Sequence, residues 1–137
     1  EFDPRELSWT KFRSEILGAT DPSQATKSSI RAQMFEHWEA LGLKQQPDTT
    51  NNCMHASAGP LEGLRERMTW SGSDLEEDAL GRLLLGSGAP KDVIEALLEN
   101  KAVENWCSCH KLFAGPVFDL TENLDTADVR DSIVLYA

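Results

Sequence analysis

The chain has 137 residues, of which 40% are hydrophobic and 26% charged, the size and mix of one ordinary globular domain. Thirteen Lys and Arg against 23 Asp and Glu give a net charge of −10, which excludes non-specific binding to nucleic acid or to an anionic membrane as its main task. No stretch approaches the roughly 18 apolar residues of a membrane span, and three cysteines, an odd number, argue against a disulfide scaffold and for a reducing intracellular compartment. The charge is uneven: residues 1–70 carry a net −2 and residues 71–137 a net −8. An anionic ligand is therefore expected in the first half. Opening at Glu1 with neither Met nor an apolar leader, the chain reads as a processed product or a piece of something longer.

In chain order, Leu7, Trp9, Phe12, Ile16 and Leu17 fit a helix that Gly18 ends, followed by a loop built on ILGATDP. Ile30, Met34, Trp38 and Leu41 then mark an apolar helical stripe with Ser28 or Ser29 as its cap, stopping near Gly42. Residues 44–52 read as a loop and NCMHAS as a strand end or more loop. Pro60 suits a first helical position, with Leu61, Leu64 and Met68 on one face. Ser73 and Glu76 form a capping-box pattern ahead of Leu75, Leu80, Leu83 and Leu84, closed by Gly86. Pro90 opens a further helix carrying Val93, Ile94, Leu97 and Leu98, which ends near Asn100. A helical pair over residues 73–101 is thus expected, with one face packed on the first half of the chain. The candidate strands are NCMHAS around Cys53, VFDL and SIVLYA.

Arg13, Thr20, Arg31, Asn52, His55, Ser57 and Glu66 make a small-anion kit, because guanidinium forks, hydroxyls and amides are the donors that phosphate oxygens need. A neutral imidazole among them is a competent nucleophile toward phosphorus. Their order and spacing carry more than their types. Pro22 lies nine residues before Arg31; Asn52 lies three before His55; Ser57 and Glu66 lie two and eleven after it, and Trp70 fifteen after it. ILGATDP, SSIR, NNCMHAS and LRERMTW, in these intervals, resemble the C-terminal half of the nucleoside-diphosphate kinase family, over residues 6–70. The EFDP segment ahead of the loop is similar to divergent protist and algal members.

The resemblance implies that His55 is the phosphoacceptor, that Ser57 and Glu66 orient its imidazole, and that Arg13, Thr20, Arg31 and Asn52 hold the nucleotide. It implies ping-pong transfer of a γ-phosphoryl group between nucleoside tri- and diphosphates, with Mg²⁺ bound to the nucleotide and no metal site of the protein's own. Arg13 lies seven residues ahead of Thr20 where the family's arginine lies six ahead, and about eleven extra residues separate Arg31 from Asn52. The family's HGSDS is HASAG here, with Ala58 in place of the Asp. Nothing in the sequence matches the family's N-terminal strand with Lys-Pro-Asp. The implied fold class is therefore α+β, an incomplete ferredoxin-like domain, mostly helical with few strands. Residues 1–72 would be the kinase-like part and 73–137 an acidic helical extension. The protein's own N-terminal half, or another polypeptide, would complete the sheet in an oligomer or assembly. The rival expectation is a non-catalytic kinase-like subunit of a larger assembly.

Of the remaining groups, Cys107, Cys109 and His110 are too tightly spaced for an ordinary zinc pair and read as a reduced cluster. Cys53 reads as a small apolar packer. Trp9, Trp38, Trp70 and Trp106 read as core or interface anchors, His37 as lying on the polar side of its helix, and DLEED at 74–78 as a favourable helix N-terminus.

Overall fold

The computed structural model describes residues 2, 3, 5–108 and 111–137. It is mixed α and β, with seven α-helices and one two-stranded antiparallel sheet among the described residues. The chain forms two compact units, Glu1–Ala56 and Ser57–Ala137. The division falls before the helix that begins at Pro60, and that helix contributes Leu61 and Leu64 to the core of the second unit.

In the first unit, Ser8 caps α1 (Trp9–Lys11) by accepting the Lys11 N–H, and the helix runs straight into a π-helical turn, Phe12–Leu17. Gly18 ends it with φ 97° and its N–H donates to Arg13 O. No other residue suits this position, because a Cβ there would lie 2.3 Å from Ser29 Oγ and 2.9 Å from the Ala25 Cβ. Asp21 caps a short 3₁₀ turn, Pro22–Gln24. Ser29 caps α2 (Ile30–Glu36) by accepting the Ala32 N–H at 3.3 Å. The helix stops at His37, short of the expected Gly42, and the chain continues in turns. Its buried face is also not the expected one. Arg31 and Ala32 are buried, whereas Ile30 and Leu41 are exposed. Residues 44–52 are loop as expected, organised by Asp48, whose Oδ1 accepts the N–H groups of Thr50 and Asn51 at 2.8 Å each.

The second unit opens with Gly59 and Pro60 at the N-cap and first position of α3 (Pro60–Ser71). Glu62 reaches back to accept the Ala58 N–H, satisfying a donor that the helix leaves open. Gly59 permits close backbone approach, since a Cβ there would meet Thr121 O at 2.6 Å, and Ala58 O accepts the Asn123 N–H at 3.0 Å. Helices α4 (Ala79–Gly86) and α5 (Lys91–Leu98) occupy the span expected for the helical pair, and both pack on α3. The cap of α4 is Asp78, not Ser73, whose buried hydroxyl finds no partner among the described residues.

Strands β1 (Ala102–Ser108) and β2 (Lys111–Pro116) pair in a register of Trp106 with Phe113 and Cys107 with Leu112, with an irregularity between Val103 and Trp106 where Asn105 takes φ 59°. Neither strand was among the expected ones. All three expected strands are something else. VFDL is α6 (Val117–Leu120), which Pro116 precedes and whose Val117 and Phe118 are buried. SIVLYA is the end of α7 (Thr126–Tyr136), where Val129 and Ile133 recur at the helical interval of four. NCMHAS forms no strand, because Cys53 takes φ 65° and turns the chain out of the extended region. The core of this unit joins Leu61, Leu64, Leu84, Ile94, Trp106, Val129 and Ile133, with the Tyr136 ring 5.4 Å from Trp106. Trp106 is thus a core anchor, whereas Trp70 is 82% exposed.

Candidate functional site

Of the seven candidate residues, five lie in the first unit and two in the second. Arg31, on the first turn of α2, organises the first unit's set. Its Nη1 donates to Gly18 O and its Nη2 to Met54 O, each at 2.9 Å. One side chain therefore fastens the end of the π-turn to the segment that carries Asn52 and His55. Asn52 adds a weaker tie, with Nδ2 3.5 Å from Thr20 O while Oδ1 accepts the Met54 N–H at 3.3 Å. Thr20 and His55 are exposed; Arg13 and Asn52 are half-buried.

The electrostatics of Arg31 are unusual for an internal guanidinium. The residue is only 8% exposed, and among the described residues neither a carboxylate nor any other group pairs with its Nε. Burial, and then the neighbouring charge of Arg13, push the Arg31 guanidinium below its usual pKa. An internal cation is costly by several kcal/mol unless something offsets it. The two carbonyls offset part of this cost.

In the second unit, Ser57 Oγ donates to Glu66 Oε2 at 2.5 Å, linking the start of the unit to the middle of α3. The Ala58 that replaces the kinase motif's Asp is engaged through both its backbone groups, with Glu62 and Asn123. α3 also makes an ion pair that the sequence reading does not anticipate. Arg67 grips Asp78 in a fork, Nε to Oδ2 at 2.6 Å and Nη2 to Oδ1 at 3.0 Å. Only the run LRERM followed by DLEED hinted at it.

Cys53 is exposed, not the apolar packer its type suggested. Cys109 and His110 of the WCSCH cluster lie outside the described residues; Cys107 is half-buried with a free thiol. Among the described residues no group of three or more His, Cys, Asp or Glu is placed to hold a metal ion, and no helix is long and apolar enough to cross a membrane. The acceptors that Arg31 uses, Gly18 O and Met54 O, are backbone atoms and left no trace in the sequence. No family model, curated protein or solved structure matches the chain.

Proposed function

We propose that the chain binds the phosphates of nucleoside tri- and diphosphates on its first unit and, within a complete kinase-like domain, passes a γ-phosphoryl group through His55. The observation that carries this reading is Arg31, a buried cation with an unmatched Nε–H. The loop of Gly18 and Thr20, joined to the Asn52–His55 segment, frames it. The π-turn adds support. Its i to i+5 bond closes a ring one residue longer than an α-turn, which is how a helix absorbs the one-residue offset of Arg13 relative to the kinase motif.

In the proposed reaction a neutral imidazole nitrogen of His55 attacks the γ-phosphorus, the bond to the β,γ-bridging oxygen breaks, and the nucleoside diphosphate leaves with that electron pair. A second diphosphate then attacks the phosphohistidine and restores the imidazole. Mg²⁺ travels with the nucleotide, on its phosphates. Arg31 and Arg13 answer the charge on the transferring group's oxygens. The fold in this reading is an incomplete ferredoxin-like domain. Its missing strands come from the protein's own N-terminal half or from another polypeptide.

A specific observation favours the alternative of a non-catalytic subunit. Both terminal nitrogens of Arg31 and both ends of the Asn52 amide already engage backbone, as expected of groups retained for structure. Incubation with γ-labelled ATP and Mg²⁺, with and without the upstream half of the protein, separates the two. The enzyme reading expects an acid-labile phosphohistidine that His55→Ala abolishes. Absence of label in the wild type with its upstream half present, or label that survives in His55→Ala, leaves the non-catalytic reading standing.

A further inference from the structure

The apolar core described above lies entirely in Ser57–Ala137. In Glu1–Ala56 the buried hydrophobic side chains among the described residues are Leu17 and Ala32, joined by Pro22 and Pro47. The aromatic contacts of Phe2, Trp9 and Phe12, with ring centroids 4.6–6.0 Å apart, are made by half-buried rings. What occupies the interior instead is Ser29, fully buried, and Arg31. So few fully buried apolar side chains offset less of a unit's conformational entropy, and small folds of this kind gain from a further tie such as a bound ligand.

We propose that a pyrophosphate-class oxyanion seated on Arg31 completes the interior of the first unit, so that ligand binding and the ordering of its described residues are a single event. The inference rests on the phosphate-binding part of the reading above but not on phosphotransfer. Arg31 is the coupling element. Its terminal nitrogens hold Gly18 and Met54, 36 positions apart in sequence, and its Nε–H is the buried donor left over. An anion there lowers the cost of burying the guanidinium, so it stabilises the state in which both carbonyl bonds are made. By linkage, whatever binds only the ordered state shifts the equilibrium toward it. The second unit has its own core and gains nothing.

The test uses the full chain, inorganic pyrophosphate as probe, and sodium chloride of matched ionic strength as control. Hydrogen exchange followed by mass spectrometry should slow by at least about tenfold in peptides covering residues 17–32 and 52–55 at saturating pyrophosphate, with no change in those covering α3 and α7. The surface variant Arg82→Gln should respond like the wild type, Arg31→Gln should lose the response, and Arg31→Lys, which keeps the charge without the fork, should retain part of it. Binding of labelled pyrophosphate by equilibrium dialysis without slower exchange overturns the coupling and leaves the phosphate-binding reading intact. No binding overturns both. Equal slowing in both units, or a response that persists in Arg31→Gln, also overturns the inference. Slower exchange without any phosphohistidine in the labelling experiment supports it while removing phosphotransfer.

Discussion

Asp78 joins two roles in one carboxylate. Its Oδ1 accepts the N–H groups of Leu80 and Gly81 at 2.8 and 3.3 Å, capping α4, while the Arg67 fork holds both oxygens. Burial pushes this carboxyl's pKa up, but the Arg67 hydrogen bond, the Leu80 N–H and the Arg67 charge together outweigh it and hold the pKa below the ordinary value. The carboxylate therefore contributes stability that is fully present above the ordinary carboxylate range and is lost as pH falls through the depressed native value. Asp78→Ala should cost about 2–4 kcal/mol, the sum of a lost cap and a half-buried arginine left without its partner. Urea melts at pH 7 and pH 3 check both points, since the difference between variant and wild type should shrink in acid. A difference that stays constant with pH would refute the electrostatic account. Gly81 sets two effects against each other. Alanine gains about 1 kcal/mol of helix propensity, yet a Cβ at this buried position would fall 1.9 Å from Leu75 O, which is backbone and cannot swing aside. The clash wins, and Gly81→Ala should lower the stability of the second unit by about 2 kcal/mol or more.

At the scale of elements, α7 tests helix against strand. In a strand, residues 133 and 135 would share a face; in a helix they are about 200° apart. Ile133 is fully buried and Leu135 is 70% exposed. Ile133→Ala should cost about 2–4 kcal/mol, whereas Leu135→Glu should stay within about 0.5 kcal/mol, both read from denaturation midpoints. Equal losses would contradict the helix. The same element shows why the sequence was legible only in part. SIVLYA taken as six residues is rich in β-branched and apolar types, and only the longer window that includes Val129 displays the period of four. The starts of α2 and α3 were legible because Ser29, Gly59 and Pro60 act locally, through a hydroxyl, a missing Cβ and a fixed φ. β1 was not legible, because its one fully buried side chain, Trp106, stands beyond an Asn105 bulge that breaks the alternation. The candidate site divides the same way. Ser57 and Glu66, which the resemblance names together as orienting the imidazole, hydrogen-bond to each other, whereas the partners of Arg31 are carbonyls, which every residue possesses and no spacing reveals.

For the molecule as a whole, the distribution of apolar burial matters more than its total. The second unit packs helices α3, α4, α5 and α7 with the hairpin around Trp106, and carries the net charge of −8; the first has a net charge of −2 and an interior of Leu17, Ala32, Ser29 and Arg31. Charge repulsion works against the second unit, but it acts between solvated groups across a high-dielectric surface and is screened over about 8 Å at physiological salt. Hydrophobic burial is worth about 25 cal/mol per Å² and is not screened. The core therefore decides, and the second unit should be the more stable despite its charge. Without an added anion, urea should unfold the chain in two steps, the first reported by loss of hydrogen-exchange protection in residues 1–56 and the second by exposure of Trp106. Brief proteolysis at urea concentrations between the two steps should remove the first unit and leave a resistant fragment that begins near Ser57. A single transition in which residues 17–32 and α3 lose protection together would mean that the two units unfold as one cooperative body, and would place the stabilising contacts of the first unit outside its own residues.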